Sequence, residues 1–572
     1  MQEKETKQCQ NCHKDFTIEP DDFAFYEKMK VPPPTFCPEC RVVRRMAFRN
    51  ERTLYKKKVS GSEKEIVSIF SPDNKQNVYD HATWWGDSWD SSSYAKDVDF
   101  SRPFLQQVKE LWQKVPDVAL FNINPINSEY CSITEGNKNC YLVFGGDFNE
   151  NTSYSTYAFH SKECLDTFWV SKSEYNYETV DCISCTRLSF GRYCQNSYNS
   201  SFLFNCRNCH DCFGCVNLTN KSYQIFNEQY TKEEYLEKIK EFDLSKYSVI
   251  QEIKARFKDH VLGFPCRYAN IIHSVKSTGD NLENTKNCRE CFDVFGGAED
   301  CVHLWLAYSK AKDIYDSDRV GLGAELCVDC STVYPGSRIF YSRFIFNSHD
   351  VSYSYNNHNS SYLFGCVGMR DKQYCILNKK YTKEEYEVLV SKIIQHMNDM
   401  PYVDAKGRTY KYGEFFPPEL SPFAYNETVA QEILPLSKED AINKGYTWKD
   451  AEKKNYTVTL KHQDIPDSIV DVKESILSEV IECEHGGRCN HQCAGAFKLT
   501  ASELKFYKAM NIAISHLCPS CRHYGRVEQR NPMKLWHRKC MKEGCNNEFE
   551  TSYAPDRPEI VYCEQCYQQE VV

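Results

Sequence analysis

The feature that most constrains this chain is a cysteine pattern written twice, 481 residues apart. Cys9 and Cys12 are followed by Cys37 and Cys40, with 24 residues between the inner cysteines; Cys489 and Cys493 are followed by Cys518 and Cys521 across the same 24. Tetrahedral zinc takes four thiolates at about 2.3 Å, and two such knuckles each present two sulfurs to one metal. Buried free thiols are the competing reading. Against it, Cys37-Pro38-Glu39-Cys40-Arg41 and Cys518-Pro519-Ser520-Cys521-Arg522 recur with matching flanks: Phe16 with Phe497, Phe25-Tyr26 with Phe506-Tyr507, Met29 with Met510.

The copy runs on through Arg49-Asn50 with Arg530-Asn531, Leu54 with Leu535, and Lys57-Lys58 with Arg538-Lys539. At the C-terminus a second thiol set follows: Cys540, Cys545, Cys563 and Cys566. In the N-terminal copy Val59 stands at the position of Cys540, Asp80 at that of Cys563, and Ala82 or Thr83 at that of Cys566. No soft tetrahedral set remains there, so we expect a metal-free remnant packed on Ile66, Ile69, Phe70, Trp84 and Trp85. The expectation is Zn2+ at three sites per chain, held by the twelve cysteines Cys9, Cys12, Cys37, Cys40, Cys489, Cys493, Cys518, Cys521, Cys540, Cys545, Cys563 and Cys566. Cys483, His485 and His491 surround Cys489. They could swap into the knuckle, bind a further metal, or be polar loop residues, and the last is the simplest reading.

The middle of the chain is an internal duplication. Tyr230-Thr231-Lys232-Glu233-Glu234-Tyr235 recurs letter for letter at Tyr381–Tyr386, an offset of 151 that also aligns Phe144-Gly145-Gly146 with Phe295-Gly296-Gly297 and Phe213-Gly214-Cys215 with Phe364-Gly365-Cys366. With gaps, 125–240 and 276–395 are two copies of one domain. Thr231 with Glu234, and Thr382 with Glu385, spell capping boxes that start a closing helix in each copy. Ahead of those helices, pairs such as Asn139-Cys140, Ser153-Tyr154 and Asn205-Cys206 read as short strands and turns. A β-solenoid-like stack is the expected architecture, with cysteines and aromatics in inward ladders and asparagines at turns.

Cys206, Cys209, Cys212 and Cys215 could suggest an iron–sulfur cluster, but the aligned second copy carries Asn357, Ser360, Leu363 and Cys366. A fold that survives replacement of three thiols does not need a cluster, so ladder cysteines are favoured over zinc, and zinc over iron–sulfur. Cys182 with Cys185, and Cys327 with Cys330, take the same reading.

The fold class is therefore β-rich and multidomain, with treble-clef or zinc-ribbon modules at both ends of a duplicated β-solenoid-like middle with capping helices. The expected units are an N-terminal treble clef (1–58), a degenerate ribbon plus helix (59–124), the first repeat (125–240), a connector (241–275), the second repeat (276–395), a connector (396–482) and tandem C-terminal ribbons (483–572). Within the second connector we expect extended chain, including a mixed-charge run near Lys449 to Lys454, and an amphipathic helix from Ser468 to Ile481.

Composition narrows the classes. The chain of 572 residues is 41% hydrophobic and 14% aromatic, enough to bury real cores, and its net charge of -9 exerts no global pull on nucleic acid. No run approaches the roughly 18 apolar residues of a membrane helix. The 31 cysteines, many in Cys-x-x-Cys pairs behind a polar start, suit reduced thiols in a cytoplasmic protein.

The terminal modules, with Phe-Tyr between knuckles (in Phe-x-Phe-Tyr at the N-terminus) and Cys-Pro-x-Cys-Arg after them, resemble the treble-clef zinc-ribbon domain family. The whole arrangement, including Tyr553-Ala554-Pro555-Asp556-Arg557-Pro558-Glu559-Ile560-Val561-Tyr562-Cys563, resembles an uncharacterised bacterial zinc-ribbon family over nearly its full length. The departure is the lost second N-terminal site, where the resemblance implies cysteines. Some such proteins carry the coenzyme A transferase label CaiB/BaiF, but this sequence shows neither Rossmann-like strand–helix alternation nor a candidate acyl-accepting aspartate.

Three functions follow as expectations. Arg41, Arg45 and Arg49, and again Arg522, Arg526 and Arg530, are spaced as one helical face. Arg45, Arg49, Arg526 and Arg530 are thus candidates for weak, sequence-independent contacts to DNA or RNA phosphates, unless they offset the -2 charge of a zinc tetrathiolate. A scaffold offering aromatic and asparagine-rich surfaces to a protein partner is the second reading. An enzyme acting on an extended polymer along the stack ranks last, since no open metal position and no hydrolase or P-loop motif is present.

Overall fold

The computed structural model describes residues 3–450 and 456–571. Much of the mixed-charge run near Lys449 to Lys454 lies outside the described residues.

The middle is built on triplets. Asn205, Asn208, Asp211, Gly214, Asn217 and Asn220, three residues apart, all sit in the left-handed region, with φ between 49° and 67°. Four triplets make one 12-residue turn, so each strand pairs in parallel with the strand 12 residues on: Leu165 with Tyr177, Phe168 with Val180, Tyr198 with His210, Ser201 with Phe213. Left-handed backbone is costly for most side chains and least so for Gly, Asn and Asp. Stacked turns then place the corner amides in ladders. Asn127 donates to Asn139 at 3.0 Å, Asn139 to Asn151 at 3.0 Å, and Asn151 to Glu163 at 2.7 Å.

The residue after each corner points inward. Cys206, Cys209, Cys212 and Cys215 occupy all four inward positions of a single turn and are fully buried. Each thiol donates to the carbonyl two residues behind it, at 3.5, 3.2, 3.3 and 3.2 Å respectively. The amides of Cys209 and Cys212 donate to the hydroxyl oxygens of Ser197 and Ser200 from the preceding turn. In the second copy Asn357, Ser360, Leu363 and Cys366 fill the matching turn and are equally buried. Spacing by three therefore records four walls converging on a narrow interior, where small side chains able to satisfy a backbone carbonyl fit.

The first copy forms an eight-stranded sheet, parallel except for its last strand. The second contributes to a 14-stranded sheet whose step widens to 13 residues at Phe292–Trp305, Ala298–Ala311 and Asp318–Ser331, then returns to 12 at Ser331–Arg343. These one-residue insertions are why the two copies align only with gaps. Each stack ends as the capping boxes indicated: Thr231 starts Lys232–Lys238 and Thr382 starts Lys383–Asp399, with both reciprocal bonds of the box present. Tyr235 and Tyr386 bury against the last strands, covering an edge that would otherwise template further pairing.

The expected helix from Ser468 to Ile481 is absent. Short 3-10 turns, Ile469–Asp471 and Glu474–Ser478, precede a strand, Ile481–Glu482. Its helical apolar spacing has another cause: Ile469, Val472 and Ile476 are separate pegs into one core, while the backbone bonds outward, Ile469 N–H to Ser245 C=O and Tyr247 N–H to Asp467 C=O.

The ladder reading makes a prediction. Cys209→Ser combined with Cys212→Ser should leave metal content unchanged and lower the thermal midpoint only modestly, since serines fill the same wall one turn earlier. Cys212→Leu should cost about 1–3 kcal/mol through overpacking. Metal analysis, thermal unfolding and the visible spectrum check both; a brown wild-type protein that the double variant bleaches would refute the ladder role.

Candidate metal centres and the arginine clamps

In the N-terminal module the hairpin Glu5–Gln8 with Asp15–Ile18 carries Cys9 and Cys12 in its turn, and the helix Pro38–Met46 starts immediately after Cys37 and holds Cys40 in its first turn. Proline at the first helical position presets φ where no amide is needed. The knuckle is backbone-defined: Cys9 N–H bonds to Lys14 C=O at 2.9 Å, Cys37 N–H to Cys9 Sγ at 3.3 Å, and Asn11 Nδ2 to Cys40 Sγ at 3.1 Å. All four sulfurs lie within 4.8 Å of one another, with Cys12 and Cys37 3.7 Å apart. Four bonds of about 2.3 Å to one tetrahedral ion put sulfurs about 3.8 Å apart, whereas a disulfide needs about 2.05 Å. The donor set fits a thiophilic metal.

At the C-terminus the expected set is corrected. The four sulfurs that gather are those of Cys483, Cys493, Cys518 and Cys521, not Cys489. Cys483 follows the strand Ile481–Glu482 as Cys9 follows Glu5–Gln8, and it repeats the same bonds: Cys483 N–H to Gly495 C=O at 2.9 Å, and Cys518 N–H to Cys483 Sγ at 3.2 Å. Cys483–Cys521 and Cys493–Cys518 are 3.8 and 3.9 Å apart. Spacing misled because the knuckle has two residues between Cys9 and Cys12 but nine between Cys483 and Cys493. Cys489 lies in that insertion, grouped with His485, His491 and Cys521. The third set, Cys540, Cys545, Cys563 and Cys566, gathers as expected, with Cys545–Cys563 at 3.9 Å and Cys563 N–H on Cys540 Sγ at 3.3 Å.

The N-terminal remnant keeps the ribbon's backbone. Tyr55–Lys58 with Glu65–Ser68 matches the hairpin Trp536–Lys539 with Glu548–Thr551. Where Cys563 precedes its helix, Asp80 caps the helix His81–Trp85: it accepts Thr83 N–H at 2.8 Å and pairs with Lys64 at 2.7 Å, bonds that hold its carboxyl at about 2. Ile69, Phe70 and Val78 pack with Ala119, Leu120 and Phe423, and Ile66 lies beside them. Trp84 is fully buried, but Trp85 lies at the surface.

The arginines after the knuckles do not face solvent. Arg41 pairs with Asp316 at 2.8 Å, Arg44 with Asp329 and Glu414 at 2.8 and 2.9 Å, Arg45 with Asp329 at 2.7 Å, and Arg49 with Asp318 at 2.6 Å and with Glu51. The C-terminal module repeats this on the other copy. Arg522 reaches Asp166 at 2.7 Å and Glu503 at 2.8 Å, Arg526 reaches Asp166 at 2.9 Å, and Arg530 spans Asp181 at 2.9 Å and Asp293. Side chains of Arg45, Arg49 and Arg526 are at most 1% exposed and that of Arg530 is 12% exposed. Arg45, Arg49, Arg526 and Arg530 are therefore corrected from candidate phosphate contacts to internal cations. Burial works against the charge on Arg44, but Asp329 and Glu414 outweigh it and hold the guanidinium above its ordinary value; Asp166 and Glu503 do the same for Arg522. The helices end at Met46 and Val527, so Arg49 and Arg530 act from the following turn. The matched aromatics also dock: Phe25 stacks on Tyr315 at 3.6 Å, and Tyr507 meets Tyr177 edge-on.

Between the copies lies a cleft of about 350 Å³, walled by Phe159, Trp169 and Tyr193 from the first and by Asn281, Phe295 and Tyr308 from the second. No family model matches the chain, and no curated protein matches it. Among solved structures, a "putative acetyltransferase" from Desulfovibrio desulfuricans G20 is similar at 10% identity over 42% of this chain and 63% of that one, less than two thirds of its length, with a TM-score of 0.11. A likeness that weak carries no argument. What stands is a β-rich chain with clusters of four cysteines near both ends, compatible with zinc-ribbon-like sites.

The clamps give a quantitative expectation. Arg526→Ala leaves Asp166 buried and undercompensated, which should cost about 3–5 kcal/mol, whereas Lys56→Ala on an exposed position should be nearly neutral. Denaturant unfolding of both variants, with limited proteolysis of the C-terminal module, measures the difference.

Proposed function

We propose that this chain is a zinc-binding, non-catalytic scaffold in which two β-solenoids are fastened together by their terminal zinc modules. The 12-residue step with regular left-handed corners supports the solenoid reading. The observation that carries the function is the fate of the arginines: each module spends its cations on carboxylates of the stack, so its metal orients a clamp rather than a reactive or phosphate-gripping surface. Zinc is the favoured ion because four soft thiolates at tetrahedral spacing suit it, and a site closed by four protein sulfurs leaves no position for an activated water. The cleft between the copies, with aromatic walls and amide groups, is the surface we assign to a protein partner. No helix among the described residues is long and apolar enough to cross a membrane.

Weak nucleic-acid binding is the second reading, and it must use cations other than the four arginines. The test separates the two. Cys37→Ser should lose one zinc ion relative to wild type and free the N-terminal module to proteolysis while the solenoid keeps its β-sheet signal, because metal binding in such modules supplies roughly 10 kcal/mol or more of folding free energy. Wild-type protein should show no salt-sensitive retention of DNA or RNA in fluorescence polarisation. Binding whose affinity falls nearly one log unit per log unit of salt for each phosphate neutralised would replace the scaffold with the nucleic-acid reading.

A further inference from the structure

We propose a fourth metal site, formed by His485, Cys489 and His491 in the knuckle insertion and completed by Cys521, whose thiolate it shares with the neighbouring tetrathiolate. The pair is then a thiolate-bridged two-metal cluster, with one ion on Cys483, Cys493, Cys518 and Cys521 and the other on His485, Cys489, His491 and Cys521. The proposal rests on the first of these ions being present.

Comparison within the chain supplies the first argument. The N-terminal knuckle closes around its four thiols with two residues between Cys9 and Cys12, so the longer C-terminal loop is not needed to build a tetrathiolate. The extra chain carries two imidazoles and a thiol, and it returns all three to one face of Cys521. Cys40, the counterpart of Cys521, has the Asn11 amide against its sulfur at 3.1 Å; Cys521 instead meets Cys489 Sγ at 3.7 Å, about the sulfur–sulfur edge of a tetrahedral zinc site.

The imidazoles supply the second. The four donor atoms lie within 4.8 Å of one another. The Nδ1 atoms of His485 and His491 are both buried and have no hydrogen-bond partner, an expensive arrangement for nitrogen lone pairs unless a ligand meets them. On its other side His491 is braced, with Nε2 at 2.8 Å from the Glu528 carboxylate and its ring stacked on Tyr524 at an interplanar angle of 8°. A carboxylate behind an imidazole fixes the tautomer and aims the opposite nitrogen, the usual outer partner of a metal-bound histidine.

Charge supplies the third. Four thiolates around one divalent ion leave -2. Adding a second divalent ion, the Cys489 thiolate and two neutral imidazoles brings the cluster to -1, so the second ion relieves repulsion around Cys521 instead of adding to it. The mixed nitrogen and sulfur donors suit zinc, cobalt(II) or cadmium and not a hard cation.

The full-length protein, purified under reducing conditions with zinc, should contain four zinc ions per chain. His485→Ala with His491→Ala should contain three, with far-UV circular dichroism unchanged. Cadmium-113 substitution of wild type gives an independent readout: two resonances should show mutual coupling through the Cys521 sulfur, and the coupling should vanish in the double variant. Three ions in wild type, four retained in the variant, or no cadmium–cadmium coupling would each overturn the site. Two ions or fewer in wild type would instead point to failure of a tetrathiolate, and Cys493→Ser, which touches only the first ion, identifies that case.

Discussion

Everything in this molecule depends on one buried contact made twice: guanidinium groups projecting from a helix anchored at a four-cysteine cluster onto carboxylates of a strand stack. Each half buries charges that the other pairs. Asp166 and Asp318 are almost completely excluded from solvent, and a carboxylate there is tolerable only with a cation beside it. Arg45 and Arg526 are buried to the same degree and need the acids equally. Removing either partner strands a charge, so the modules and the stack specify one another. Such pairs add little net stability over an apolar interface, but a shifted register would leave one of these charges buried without its partner. That suits a repeat, where each turn offers almost the same surface as the next.

The anchoring also explains why the thiol sites sit where they do. In each module the second knuckle opens the arginine helix, with Cys37 and Cys518 as its N-caps and Cys40 and Cys521 in the first turn. A metal held by these thiols would therefore fix the helix at the end from which its arginines are counted. Arg41 and Arg522 lie one residue past the last ligand, so a short helix suffices to hand them to the stack. The modules are crossed: the N-terminal one docks on the second copy and the C-terminal one on the first, while Arg530 ties Asp181 of one copy to Asp293 of the other.

Much of this was legible in the sequence. The two offsets located both duplications, the capping boxes located the closing helices, and the comparison of Cys206–Cys215 with Asn357–Cys366 identified the ladder. What escaped was whatever depends on long-range pairing. The arginine spacing was visible, but apart from Glu51 and Glu503 its partners lie more than a hundred residues away, many at corners such as Asp166 and Asp329, and a positive patch in sequence reads alike whether it faces phosphate or aspartate. Cys483 was weighed as a replacement ligand but ranked below Cys489, because ungapped alignment extends only to Cys493. The strand pairing of Ile481–Glu482 with Ala496–Phe497, not the count of residues, decides which thiol takes the place of Cys9. The Ser468–Ile481 segment misled for a related reason: helical spacing of apolar residues also arises when separate turns drop side chains into one groove.

The insertion that hid Cys483 is also what distinguishes the two ends. Both modules keep the docking aromatics, the arginines and the four-thiol geometry, so the clamp constrains them alike. The second ribbon is free to vary, and at the N-terminus Asp80 caps a helix where the C-terminal ribbon has Cys563, while Ile69, Phe70 and Val78 hold the hairpin. The knuckle loop varies as well: nine residues separate Cys483 from Cys493 where two separate Cys9 from Cys12. Chemistry can therefore be lost from the ribbon or added to the knuckle loop without disturbing the interface, since the clamp requires only that the helix begin at a fixed place.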